Sequence, residues 1–271
     1  MTEALHLVAL ALYLVAATLL GVALARNELR LTGIATAVAG VGVLAHLLGL
    51  VAFRTLRGEL PLVGLGPSLS VLGLLVGLGS LAVATLGRTG PLGLVLVPVA
   101  AVLVGVSSAV GVVPSGPEMR FQGPWFVLHV TLALVGYAGL TVAFACGLMY
   151  LLQFRELKNK NFGAIFRFFP PLDTLDRMGK WALIVGFPFL TLALAVGWAW
   201  TERFGQPLAP GNPKVVWGVL SWVLILAALL ARAGGGRRGV RAAAASVVAF
   251  AVVVVAYIVL RVGEPQGGGF L

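Results

Sequence analysis

The sequence predicts an all-α, polytopic integral membrane protein with about eight transmembrane helices, and three observations carry that expectation. The 271 residues are 60% apolar and only 10% charged, with a mean hydropathy of +1.05, whereas a soluble domain solvates itself with roughly 25% charged residues. Eight apolar stretches each approach or exceed the roughly 20 residues that cross about 30 Å of hydrocarbon at 1.5 Å per residue. Between those stretches, Lys and Arg are concentrated on alternate connections, as in helical proteins with a defined orientation in the bilayer.

The expected spans are 4–25, 32–53, 68–87, 91–113, 124–153, 180–201, 214–232 and 240–260. The first is longer than the 7–15-residue core of a secretory signal and follows Glu3 rather than a basic cluster, so it reads as a retained helix despite the cleavage-like Ala23-Leu24-Ala25. The second and third carry Gly40, Gly42, Gly73 and Gly77 at spacings that let helices approach closely. Gly64, Pro67, Gly90 and Pro91 punctuate the ends of spans rather than cradle phosphate. Span five holds His129 and the single cysteine, Cys146, so no disulfide framework or Cys-x-x-Cys site exists.

The connection 154–179 is basic and aromatic. Phe162, Ile165, Phe166, Phe168 and Phe169 interleave with Lys160 and Arg167, which suits a short amphipathic segment in the headgroup region. Pro170-Pro171 ends it, with Asp173 or Thr174 as the expected cap of the next turn. Trp198 and Trp200 close span six, Trp217 and Trp222 lie in span seven, and Gly234 to Gly236 with Arg237-Arg238 make a flexible turn before span eight.

The odd connections hold Arg26, Arg30, Arg88, Arg155, Lys158, Lys160, Arg167, Arg177, Lys180, Arg232, Arg237, Arg238 and Arg241, thirteen of the nineteen basic residues. The positive-inside rule therefore places them in the cytoplasm and both termini outside. A net charge of +10 would suggest a nucleic-acid partner in a soluble domain. Here the charge sits in short loops beside span ends, so the lipid bilayer is the partner it implies, and nucleic acid is not.

Span interiors carry no Asp, Glu, Lys or Arg at mid-depth, which argues against a pump, a proton-coupled transporter or a carboxylate hydrolase. There is also no Ser/His/Asp set and no His-Glu-x-x-His. The expected protein is not an enzyme. Nor does any internal repeat point to an inverted-repeat transporter.

What remains is three histidines. His129 lies about 7 Å and His46 about 12 Å from the outer end of its span, by the helical rise, and His6 opens span one. Their shared depth suits axial ligands of an outward-facing haem. A helix-to-helix hydrogen bond is the alternative for each. The tryptophans form either an interfacial belt or a flat platform for a porphyrin, with Arg120, Arg203 or Lys214 near to pair its propionates.

Four segments carry a family resemblance: LHVTLALVGYAGLTVAFACGLMYLLQ (128–153), PLDTLDR (171–177), GFPFLTLALAVGWAW (186–200) and NPKVVWGVLSWVLILAALLAR (212–232). In order and spacing they resemble the cytochrome c assembly membrane protein family, the haem-handling group that includes CcsA and CcmC, and in particular its HemX-like branch. By that resemblance the chain is one transmembrane domain, 1–271, with a variable first half, 1–115, and an assembly-like half, 124–260. The resemblance implies a tryptophan-rich segment that presents haem at the outer face of the cytoplasmic (inner) membrane, flanking histidines that ligate the iron, and other cytochrome c maturation membrane proteins as partners. It assigns His129 to the iron, and Trp198, Trp200 and Lys214 to haem binding; His46, by its depth, and Trp217, by its place in the tryptophan cluster, complete the expected site. The chain departs from the family's pattern at Asn212, Val215 and Leu230, where an Asp, a Glu and a histidine are usual. A membrane scaffold or regulator of haem metabolism that binds no haem is the alternative, with a small-solute permease third.

Overall fold

A computed structural model describes residues 2–113, 123–160, 163–203, 212–232 and 238–263. Among them are nine α-helices and no strand: α1 (Thr2–Arg26), α2 (Arg30–Arg57), α3 (Leu65–Thr85), α4 (Gly93–Val110), α5 (Pro124–Lys158), α6 (Ala164–Phe168), α7 (Leu172–Arg203), α8 (Pro213–Leu230) and α9 (Arg238–Gly263). A single 3-10 turn, Gly90–Leu92, leads into α4. Helix is the form in which one segment satisfies its own backbone donors and acceptors, as the hydrocarbon layer requires. Termini fall at residues that cannot continue it. Gly58 ends α2 at φ 74° and donates its N–H to the Arg54 carbonyl, and α5 opens with Pro124, whose missing N–H costs nothing in a first turn.

Seven helices are long and apolar enough to cross a membrane, and α8 contributes a shorter apolar stretch, Val215–Leu230. The expected all-α polytopic membrane architecture is what the chain forms. Large apolar side chains such as Leu7, Leu14, Leu44, Val102, Leu192 and Val259 stand exposed around the bundle, an arrangement that lipid solvates and water does not.

Two cores divide the helices. Ala9, Tyr13, Leu20, Val43, Leu96 and Val104 pack α1, α2 and α4 together, joined at one end by Cys146, Met149 and Phe168. Tyr137, Leu140, Leu183, Leu190, Ile225 and Val253 do the same for α5, α7, α8 and α9. Small residues set the closest approaches. A Cβ at Gly139 would stand 2.8 Å from the Ala182 carbonyl oxygen and one at Gly73 would stand 3.0 Å from Val104 Cγ2, so α5 meets α7, and α3 meets α4, at distances only glycine allows.

The odd connections gather at one end of the bundle: Arg88, Arg167 and Arg177 line one cavity, and Arg232 donates to Asp176 Oδ1 at 2.7 Å. Alternate charge in the sequence thus becomes one charged face.

The connection 154–179 differs from the amphipathic segment expected of it. Helix α5 runs on to Lys158, and Phe168 and Phe169 are buried at the end of the first core rather than turned to lipid; Phe162 lies outside the described residues. Pro170-Pro171 does end α6. Neither expected cap forms, because Leu175 N–H already bonds the Pro171 carbonyl. Asp173 falls instead in the first turn of α7, where its carboxylate complements the helix dipole.

Candidate functional site

Two of the three histidines meet in the first half of the molecule. His6 on α1 and His46 on α2 have ring centroids 5.3 Å apart, edge to face, and both reach the Ser70 hydroxyl of α3, His6 Nε2 at 2.8 Å and His46 Nε2 at 2.9 Å. His6 Nδ1 lies 2.8 Å from the Thr2 carbonyl oxygen and Tyr13 Oη lies 3.5 Å from His46 Nδ1.

The partners dictate the direction of each bond. A carbonyl oxygen only accepts, so His6 Nδ1 donates to Thr2. A second proton on that ring would be a charge buried without a counter-ion, so His6 Nε2 carries a lone pair and accepts from Ser70. The serine has one proton, already given to His6, so His46 Nε2 donates to the serine oxygen. His46 Nδ1 is then left to accept from Tyr13. Both rings are fully buried, at 1% and 0% exposure, and all four of their nitrogens are engaged. Gly49 makes room for this cluster, since a Cβ there would stand 3.0 Å from His6 Nδ1.

His129 lies in the other half. Five residues into α5, it donates Nδ1–H to the Ala193 carbonyl of α7 at 2.7 Å, so Nε2 is the lone-pair nitrogen of the neutral ring. Gly197 permits the contact, because a Cβ there would stand 2.8 Å from both Nδ1 and Cε1 of His129. The ring lines a cavity of about 290 Å³ walled by α3, α4, α5, α7, α8 and α9, with Tyr137, Trp217, Phe250 and Tyr257 as its aromatic surface. Tyr137 and Trp217 stack at 4.7 Å, and Trp217 Nε1 donates to the Val253 carbonyl at 3.2 Å. The lining hydroxyls of Ser68 and Thr141 are turned onto the Leu62 and Tyr137 carbonyls. None of the described lining residues is charged.

The sequence-derived candidates therefore separate. His129 and Trp217 share the cavity. His46 does not line it. Trp198 is 61% exposed, and Trp222 turns to α7, donating to Thr191 Oγ1 at 2.9 Å. The side chains of Trp200, Arg203 and Lys214, and the whole of Arg120, lie outside the described residues. Sequence reasoning passed over Tyr137 and Tyr257. An aromatic residue with a polar tip inside a span was the available signal, and Tyr137 stands eight residues, about two turns, along the same helix from His129.

Comparison with known proteins places this chain in a family. The chain is 26% identical over 111 residues to the cytochrome c biogenesis protein CcsA of Chlamydomonas reinhardtii, covering 41% of this chain and 30% of that one. It is 25% identical over 149 residues to the CcsA of Guillardia theta, covering 49% and 50%, and 31% identical over 74 residues to the protein HemX of Bacillus subtilis, covering 27% of each. It thus spans half or less of the length of these three relatives. The model of the cytochrome C assembly protein family matches residues 3–265, well beyond the four segments that first carried the resemblance, and the chain belongs to that family.

Proposed function

We propose that this protein handles haem in cytochrome c biogenesis, binding it at the outer face of the cytoplasmic membrane and presenting it to partner membrane proteins, with no turnover of its own. The observation that carries the reading is the His129 imidazole: its Nδ1–H is fixed on the Ala193 carbonyl, which orients the ring, raises the basicity of Nε2 and leaves that nitrogen for a metal. An apolar cavity with Tyr137, Trp217 and Tyr257 beside that imidazole fits the face of a porphyrin. When bound, the haem supplies the iron and the group to be transferred; the protein orients it and excludes water.

The cavity offers one histidine. His129 would be the one histidine to hold the haem iron there, which suits a protein that hands haem on. His46 is the other expected ligand, and it would serve only by giving up Ser70 at Nε2 or Tyr13 at Nδ1. The single histidine also supports the second reading, a membrane scaffold that binds no haem.

Absorption spectra of the purified protein after haem-replete expression separate the two. A Soret band is expected in the wild type, abolished or strongly shifted in His129→Ala and unchanged in His46→Ala. No band in the wild type leaves the scaffold; a band indifferent to His129→Ala removes this site. The orientation is tested in a Cys146→Ala background by a cysteine at position 160, which an impermeant reagent should fail to label from outside intact cells.

A further inference from the structure

Away from the histidines, at the arginine-rich end of the bundle, the turn after α3, the segment from α6 to the start of α7, and Leu29 and Thr32 border an open hollow of about 490 Å³. Arg88 reaches it from the first of these, and Arg167 and Arg177 from the second. No Asp or Glu is among its described lining residues. Asp173 lies 3.9 Å from Arg177 with both side chains largely exposed, too long and too solvated to use that guanidinium's donors. Orientation in the membrane needs basic residues at this face, but it does not need three of them around one concavity. All three arginines are exposed at its rim, and guanidiniums lining one hollow without a lining carboxylate create a field that attracts an anion.

One further feature points the same way. Phe168, Phe169 and Pro91 supply an apolar wall next to the arginines, as a ligand with a charged head and a greasy body requires.

We propose that this cavity binds a phosphate group through Arg88, Arg167 and Arg177. Its two sources are the headgroup of an anionic lipid of that leaflet and free phosphate. The inference is independent of haem binding, which concerns the opposite end.

Native mass spectrometry of the full chain in zwitterionic detergent tests it, with phosphatidylglycerol, a phosphate-free glucosyl diacylglycerol, and inorganic phosphate as probes. Phosphatidylglycerol should be retained over the glucolipid, and R88Q/R167Q should lower retention about tenfold, the loss of two charge-assisted contacts. R26Q/R155Q removes equal charge from the same face outside the cavity and should change it less than about twofold. Competition by millimolar inorganic phosphate assigns the site to soluble phosphate; its absence assigns it to lipid. Equal losses in the two double variants, or none in R88Q/R167Q, would overturn the proposal. Should R88Q/R167Q fail to insert, R88K/R167K keeps the topological charge and should still lower retention about threefold through loss of the bidentate fork; unchanged retention there overturns it equally.

Discussion

His6 and His129 are built from similar parts and end in opposite states. Each ring is seated against a glycine of a neighbouring helix, Gly49 or Gly197. Each donates Nδ1–H to a backbone carbonyl, at 2.8 and 2.7 Å. The difference lies at the second nitrogen. For His6 it is closed by Ser70, which also holds His46, so the polar groups of three helices satisfy one another. For His129 no bond at that nitrogen is seen among the described residues, and the ring lines an apolar, aromatic cavity. Helix α3 stands between the two, with Ser70 in the closed cluster and Ser68, two residues away, on the cavity wall. A buried imidazole is thus made structural or available by its unpaired nitrogen, and residue type alone does not distinguish the cases.

The comparison breaks most sharply at Ser70. Ser70→Ala removes the shared partner of two buried nitrogens, and leaving such groups unpaired costs about 1–3 kcal/mol each. The expected outcome is a loss of roughly 3 kcal/mol in unfolding free energy, measured by denaturant titration in mixed micelles, with any haem spectrum intact. A spectrum that changes with Ser70→Ala would show that the two sites are one.

At the other site, Gly197→Ala pushes a methyl group into the His129 ring. Haem affinity is expected to fall about tenfold, or roughly 1.4 kcal/mol, in a spectrophotometric titration, while Gly49→Ala, its counterpart under His6, lowers stability and leaves affinity unchanged.

The tryptophans give the smallest effect. Trp217→Phe keeps an aromatic face but loses the Nε1 bond to Val253, and a loss of about threefold in haem retention is expected, within the 0.5–1.5 kcal/mol typical of an aromatic pair. Trp125→Phe, at a residue 41% exposed in the first turn of α5, should change retention by less. Equal behaviour of Trp217→Phe and Trp125→Phe in a cytochrome c maturation assay reduces the aromatic cluster to an interfacial anchor.

The spans were legible because each is a local property: hydropathy over 20 residues and the backbone's need to satisfy itself within one segment. The charged end was legible for the same reason. The connection 154–179 was not, since the apolar spacing that turns Phe168 and Phe169 inward is the spacing that would lay them on lipid. Nor did the tryptophans' nearness in sequence at 198–222 predict that only some would share a wall. Trp217 and Trp222 stand five residues apart on α8, which puts them on different faces of a helix with 3.6 residues per turn.

The sequence by itself determined that this chain crosses a membrane as a bundle of helices, which ends carry its positive charge, and which family's segments it holds. Only the tertiary structure decided what its histidines are free to do. The partners that commit or release them, Ser70 for His6 and Ala193 for His129, are each 64 residues away along the chain. No local pattern records a hydrogen bond made across that distance. A ring nitrogen's availability depends on which atoms packing brings within about 3 Å of it.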